Sequence, residues 1–177
     1  PGKKKEKKDN LEVPRIGIRF HIPQDMNMVE YFGRGPEENY IDRNAGSMVG
    51  RYKTIADSMY VDYVRPQENG HRTDTRWVVL SDKSGRGLLV QADKTIGFNA
   101  LKNTIEDFDA EDSSRPYQWR NRSPEEIENH DLDEAKNAMR KMTHVNDIIP
   151  RDFVEVSVDM KQQGVAGYDS WGAKVQP

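Results

Sequence analysis

Ile16, Ile18, Phe20 and Ile22 alternate without interruption with Arg15, Gly17, Arg19 and His21. A period of two puts four apolar side chains on one face of an extended strand, whereas a helix would scatter them around its axis. The predicted strand spans Val13 to Ile22, and Pro14 suits only its start or an edge. Further strands are predicted over Met28–Phe32, Ser58–Arg65, Arg72–Leu80, Gly87–Ala92 and Phe153–Met160, in the last of which Val154, Val156, Val158 and Met160 point one way. The connections are short and carry turn residues, notably Asn69-Gly70, where both residues tolerate positive φ, and Ser84-Gly85. Strand following strand through short turns argues for an antiparallel, mainly β fold.

One helix breaks the pattern. Ser123-Pro124-Glu125-Glu126 combines a capping serine, a proline at the first helical position and a capping-box glutamate, which predicts a helix to about Asn137. Residues 99–122 are polar and acidic and are expected to be irregular.

Hydrophobic residues make up 34% of the 177 residues, and the mean hydropathy is -0.94. That is lean for a self-sufficient globule of this length, so the chain is expected to carry polar insertions and to belong to a larger fold that supplies more core. The absence of cysteine excludes disulfides, thiolate metal sites and a cysteine nucleophile. No apolar run reaches the roughly 18 residues of a membrane-spanning helix. The opening Pro1-Gly2-Lys3-Lys4 has no initiator Met and no signal peptide, as in the interior of a longer polypeptide, and the compartment, cytoplasmic or periplasmic, is not legible.

Charge is uneven. Residues 1–10 hold five Lys against Glu6 and Asp9, and residues 101–135 hold eleven acids against four bases. No aromatic residue is interleaved with Lys3 to Lys8, so residues 1–12 read as a polar linker and no nucleic-acid partner is expected. No membrane partner is expected either.

Two segments invite a chemical reading. Gly33-Arg34-Gly35-Pro36-Glu37-Glu38-Asn39-Tyr40-Ile41-Asp42-Arg43 is dense in hydrogen-bonding groups. Paired carboxylates suggest a glycosidase acid and nucleophile, but adjacent side chains of extended chain point apart, so Glu37 and Glu38 read as structural acids. Asp42 and Arg43 read as a local ion pair or backbone clamps. Gly164 to Gly172 is the second segment. Its glycines permit close approach, and Tyr168, Asp169 and Trp171 offer a carboxylate and two ring faces, the chemistry that recognises a sugar's hydroxyl edge and C–H face. A tryptophan closing a hairpin would look the same. Trp119 is open to similar alternatives, a partner-facing anchor or a loop packing on its own domain. His21, His71, His130 and His144 lack metal-ligand spacing. Trp77, Tyr60 and Tyr63 read as sheet-face residues.

Val13-Pro-Arg-Ile-Gly17, Gly33-x-Gly-Pro-x-Glu-Asn-Tyr-x-Asp-Arg43, Tyr63-Val-x-Pro-Gln-Glu-Asn-Gly70 with Arg72, and Asp169-Ser-Trp-Gly172 together resemble the C-terminal β domain, the small-chain region, of the glycoside hydrolase family 2 β-galactosidases. The resemblance implies an antiparallel β supersandwich of the galactose-mutarotase-like kind, of which residues 13–177 are a later, partial section with one short helical insertion and a divergent stretch at about 99–122. It implies retaining hydrolysis of terminal β-D-galactosides by catalytic acids that lie in another domain, with magnesium and sodium held mainly elsewhere and no cofactor bound by this chain. It implies that Trp171 stacks on the sugar, with Asp169 and Tyr168 as weaker candidates; Tyr168 departs from the acidic or small residues common there. The implied partners are the remaining domains of the same polypeptide, a galactoside, and further copies in a homo-oligomer. The contrasting expectation is a free-standing, non-catalytic carbohydrate-binding β module.

Overall fold

The computed structural model describes residues 15–64, 66–108 and 145–164. Its strands are β1 (Arg15–Pro23), β2 (Met28–Gly35), β3 (Met48–Ile55), β4 (Arg72–Ser81), β5 (Gly87–Leu101) and β6 (Phe153–Gln162). Every pairing is antiparallel, and the strands form one sheet in the order β1-β6-β5-β4-β2-β3. The mainly β, antiparallel expectation holds. The remaining described elements are one-turn 3₁₀ segments at Ala56–Ser58 and Val145–Asp147 and the four-residue helix α1 (Ile105–Phe108). The lysine-rich residues 1–12 and the predicted helix from Ser123 to Asn137 lie outside the described residues.

The register explains the alternation. Ile18, Phe20 and Ile22 of β1 stand opposite Val158, Val156 and Val154 of β6, and Phe98 and Ala100 of β5 stand opposite the same Val158 and Val156. Val29, Tyr31, Val78, Leu80, Phe98, Ala100, Val154 and Val156 are buried and form the core with Met59 and Ala56. The Tyr31 ring meets Phe98 edge-on, with centroids 5.2 Å apart. Burial of each large side chain here contributes about 1.5–3 kcal/mol. β1 is an edge strand flanked on one side only, and its Ile18 remains 64% exposed.

Three expectations are corrected. Ser58–Arg65 is not a strand in its described part: the Val61 N–H is taken by the Asn69 side chain at 3.1 Å and the Tyr63 N–H by Val61 O at 2.9 Å, so neither joins a ladder. Tyr60 and Tyr63 are therefore not sheet-face residues; Tyr60 stacks on Phe108 at 5.9 Å instead. β5 does not stop at Ala92 but runs to Leu101, so the stretch from Asn99 begins as strand, with the Asn99 side chain donating to the Glu68 carboxylate and to Asn69 O. β3 is a further strand, beyond those the alternation predicts. It is an edge strand with Arg51 and Lys53 facing outward, and its alternation of Gly50, Tyr52 and Thr54 against exposed residues is a signal that could have revealed it.

β4 carries two register shifts against β5, between Arg72 and Trp77, with Asp74 at φ 51°. Such bulges bend a strand, and here they bring residues 69–73 against the Gly33–Arg43 loop.

Candidate functional site

The Gly33–Arg43 loop holds its shape through two inward side chains. Glu38 accepts hydrogen bonds from the Gly70 N–H at 2.7 Å through Oε2, and from Arg43 at 2.6 Å and the Tyr63 hydroxyl through Oε1. Asn39 donates through Nδ2 to Arg34 O at 3.1 Å and Glu37 O at 3.0 Å, and its Oδ1 accepts the Thr73 N–H at 3.0 Å and hydroxyl at 2.5 Å. Tyr40 is buried, stacks on His71 at 5.2 Å, and has the Arg43 guanidinium over its ring at 4.8 Å. Glu37 is exposed while Glu38 is turned inward, so the adjacent acids diverge as expected of structural residues. Arg43 pairs with Glu38, five residues before it in the chain.

A second polar cluster lies where β1, β5, β6 and residues 66–71 meet. Glu68 Oε1 accepts from Arg15 Nη2 at 3.0 Å, Asn99 Nδ2 at 3.0 Å and Gln162 Nε2 at 3.3 Å. Asn99 also donates to Asn69 O at 2.6 Å, and its Oδ1 lies 2.7 Å from His71 Nδ1 and 3.2 Å from Arg15 Nη2. Asp159 is 1% exposed, and Arg15 Nε approaches its Oδ1 at 3.0 Å without aiming its N–H there, so among the described residues neither carboxylate oxygen receives a hydrogen bond.

Two carboxylates therefore share one guanidinium in a buried place. Burial raises Asp159 to about 7, with Arg15 opposing and Glu68 adding to the rise. Burial also raises Glu68, against the pull of Arg15 and the donors from Asn99 and Gln162. Burial lowers His71 to about 3, so its ring is neutral at ordinary pH.

Of the sequence-singled candidates, Tyr168, Asp169 and Trp171 lie outside the described residues, as do Trp119, His130 and His144. The described chain leads toward the first three and ends at Gly164, which is buried. His21 stacks on Phe153 at 4.0 Å with Nε2 3.0 Å from Glu155, an ordinary structural placement. Trp77 is half-buried on β4 beneath the Arg51 guanidinium, 5.8 Å from its ring. Among the described residues no group of three or more His, Cys, Asp or Glu could hold a metal ion.

The residues that sequence reasoning missed are Arg15, Glu68, Asn99 and Asp159. Their signal was faint: Arg15, Asn99 and Asp159 are polar residues on strands, where such residues ordinarily meet solvent, and Glu68 lies in the connection before β4.

The model of the family described as "Beta galactosidase small chain" matches residues 3–177. A β-galactosidase of Priestia megaterium is 34% identical over 166 residues, covering 94% of this chain and 13% of that protein. One from an Arthrobacter species is 37% identical over 103 residues, covering 55% of this chain and 10% of its own length. One from Vibrio cholerae is 30% identical over 165 residues, covering 93% of this chain and 12% of that protein. The chain thus spans roughly an eighth of the relatives it matches along most of its length. With a family match that runs from Lys3 to Pro177 over an antiparallel sheet, this chain belongs to the β-galactosidase small chain family.

Proposed function

We propose that this chain is the non-catalytic, C-terminal β section of a β-galactosidase that hydrolyses terminal β-D-galactosides with retention. The observation that carries the proposal is the family match across residues 3–177, to which relatives named β-galactosidase add nearly the same span. The burial of Glu38 and Glu68 in structural hydrogen bonds supports a scaffolding part for this section. The catalytic acids belong to another domain of the intact enzyme, as do the magnesium and sodium sites. Within this section Trp171 stacks on the substrate sugar, with Asp169 and Tyr168 beside it in sequence. The remaining domains of the same polypeptide are its partners, in a homo-oligomer.

The experiment is a substitution in the intact enzyme. Trp171→Ala raises KM for lactose and aryl galactosides while kcat falls less, because stacking on a non-reacting face contributes to ground and transition states alike. An unchanged KM would remove the stacking role. The 177 residues alone, purified free of host enzyme, turn over no chromogenic galactoside; turnover by the pure chain would overturn the non-catalytic assignment.

A further inference from the structure

The end of β6 is held unevenly. β5 pairs with β6 only from Leu101↔Glu155 to Gly97↔Asp159, whereas β1 continues to Arg15↔Gln162. Beyond Asp159 the strand has a ladder on one side only, from an edge strand whose register shifts between Ile16 and Gly17. Such an end frays unless side chains hold it. Here they do: Gln162 donates to Glu68, and Arg15, directly opposite Gln162, joins the same Glu68 oxygen. Glu68 is itself held by Asn99, whose other donor bond goes to Asn69 O at 2.6 Å. The last residues of β6 are thereby tied to β5 and to residues 66–71 through one carboxylate. Gln162 lies nine residues before Trp171 in the chain.

We propose that Glu68 is a positioning residue: by holding Gln162 and Arg15 it fixes the end of β6 and so the departure of the segment that carries Trp171 to the substrate. The inference rests on the stacking role proposed for Trp171. A buried charged network that joins four elements is a costly way to gain stability, since apolar residues would serve as well. Its gain is a single geometry, the property a substrate-contacting segment needs at its base.

The test uses the intact β-galactosidase that carries this section, with kcat and KM measured on an aryl galactoside. Glu68→Leu removes the acceptor and leaves Arg15 beside Asp159, whose Oδ1 lies 3.0 Å from the Arg15 Nε. Gln162→Leu, at a half-buried position, removes a single bond and is the variant that keeps the test open should Glu68→Leu fold poorly. Both are expected to raise KM about fivefold with kcat within about twofold, the size of one hydrogen bond's contribution. Glu68→Gln, which retains an acceptor oxygen, is expected to stay near wild type. In a Trp171→Ala background neither leucine variant raises KM further. Val154→Ala, a core change earlier on the same strand, serves as the control and lowers stability without raising KM. If Trp171→Ala raises KM but Gln162→Leu and Glu68→Leu do not, or if their effects add to it in full, the positioning role is overturned and the stacking role stands. If Trp171→Ala itself leaves KM unchanged, both are overturned.

Discussion

Glu38 reaches across 32 residues of chain to accept the Gly70 backbone N–H at 2.7 Å. Gly70 sits at φ +75°, and a Cβ there would meet Met59 O at 2.8 Å. The turn signal of Asn69-Gly70 is therefore also the docking point of a distant loop. Asn69 shapes the turn from within: its Nδ2 donates to Gln67 O at 2.9 Å and its Oδ1 accepts the Val61 N–H. Glu38 closes it from outside.

Replacing Glu38 by Ala leaves the Gly70 N–H, the Tyr63 hydroxyl and the Arg43 guanidinium without their shared acceptor. The carboxylate is 7% exposed, so water replaces it poorly. The expected loss is about 2–3 kcal/mol, the range for charge-assisted hydrogen bonds whose partners are left unpaired. Urea unfolding measures it. A change below about 0.5 kcal/mol, typical of surface substitutions, would mean that the loop is held without Glu38.

Two of the buried titrating groups, Asp159 and His71, predict opposing pH dependences. Asp159, raised to about 7, holds a proton in the folded state that it loses on unfolding at any pH between its ordinary value of 3.8 and 7. Its contribution is fully present below about pH 4 and is lost as pH rises to 7. His71, lowered to about 3, behaves in reverse: the unfolded chain binds the proton first, so stability falls as pH drops from 6.5 to 3. Arg15, Glu68 and Arg72 are the other charges acting on this pair. The two slopes offset each other between about pH 4 and 6.5. Asp159→Asn removes one of them. It is expected to raise stability at pH 8 by an amount on the order of 1 kcal/mol or more, and to uncover acid lability below pH 6.5. Chemical denaturation across pH 4–8 checks both effects. A variant with the wild-type profile would show that Asp159 ionises freely in the fold.

Sheet-forming segments were legible wherever apolar residues recur at every second position, as at Ile16 to Ile22 and Val154 to Val158, even though Ile16 and Ile18 stay exposed on the edge strand. β3 was not, because an edge strand can carry Arg51 and Lys53 outward and bury only part of the other face. Ser58–Arg65 misled for the converse reason: Tyr60 and Tyr63 have strand propensity, but a side chain, Asn69, captured the backbone donor a ladder would need. The structural reading of Glu38 was accessible from the divergence of adjacent side chains. Its true partners were not, because Gly70 and Tyr63 are distant in sequence and no local rule pairs them. The Arg15–Glu68–Asp159 cluster was illegible for the same reason, since each member alone resembles a solvated charge.

Gly97 tests how rigid that cluster is. A Cβ at this position would fall on Nε2 and Cε1 of the His71 ring. The ring has little room to withdraw: its side chain is 3% exposed, Nδ1 is bonded to Asn99 at 2.7 Å, and Tyr40 stacks on it at 5.2 Å. Gly97→Ala is therefore expected to cost about 1–3 kcal/mol through overpacking, and to shift the His71 imidazole resonances in NMR spectra. Gly46 provides the contrast, because a Cβ there meets nothing within 4 Å and its φ is not positive. Gly46→Ala should be neutral, or stabilising by about 0.4–1 kcal/mol through the lower entropy of its unfolded chain. If the two variants unfolded at the same denaturant concentration, the His71 ring would have to move aside at no cost, and the cluster built around Asn99 would not be rigid.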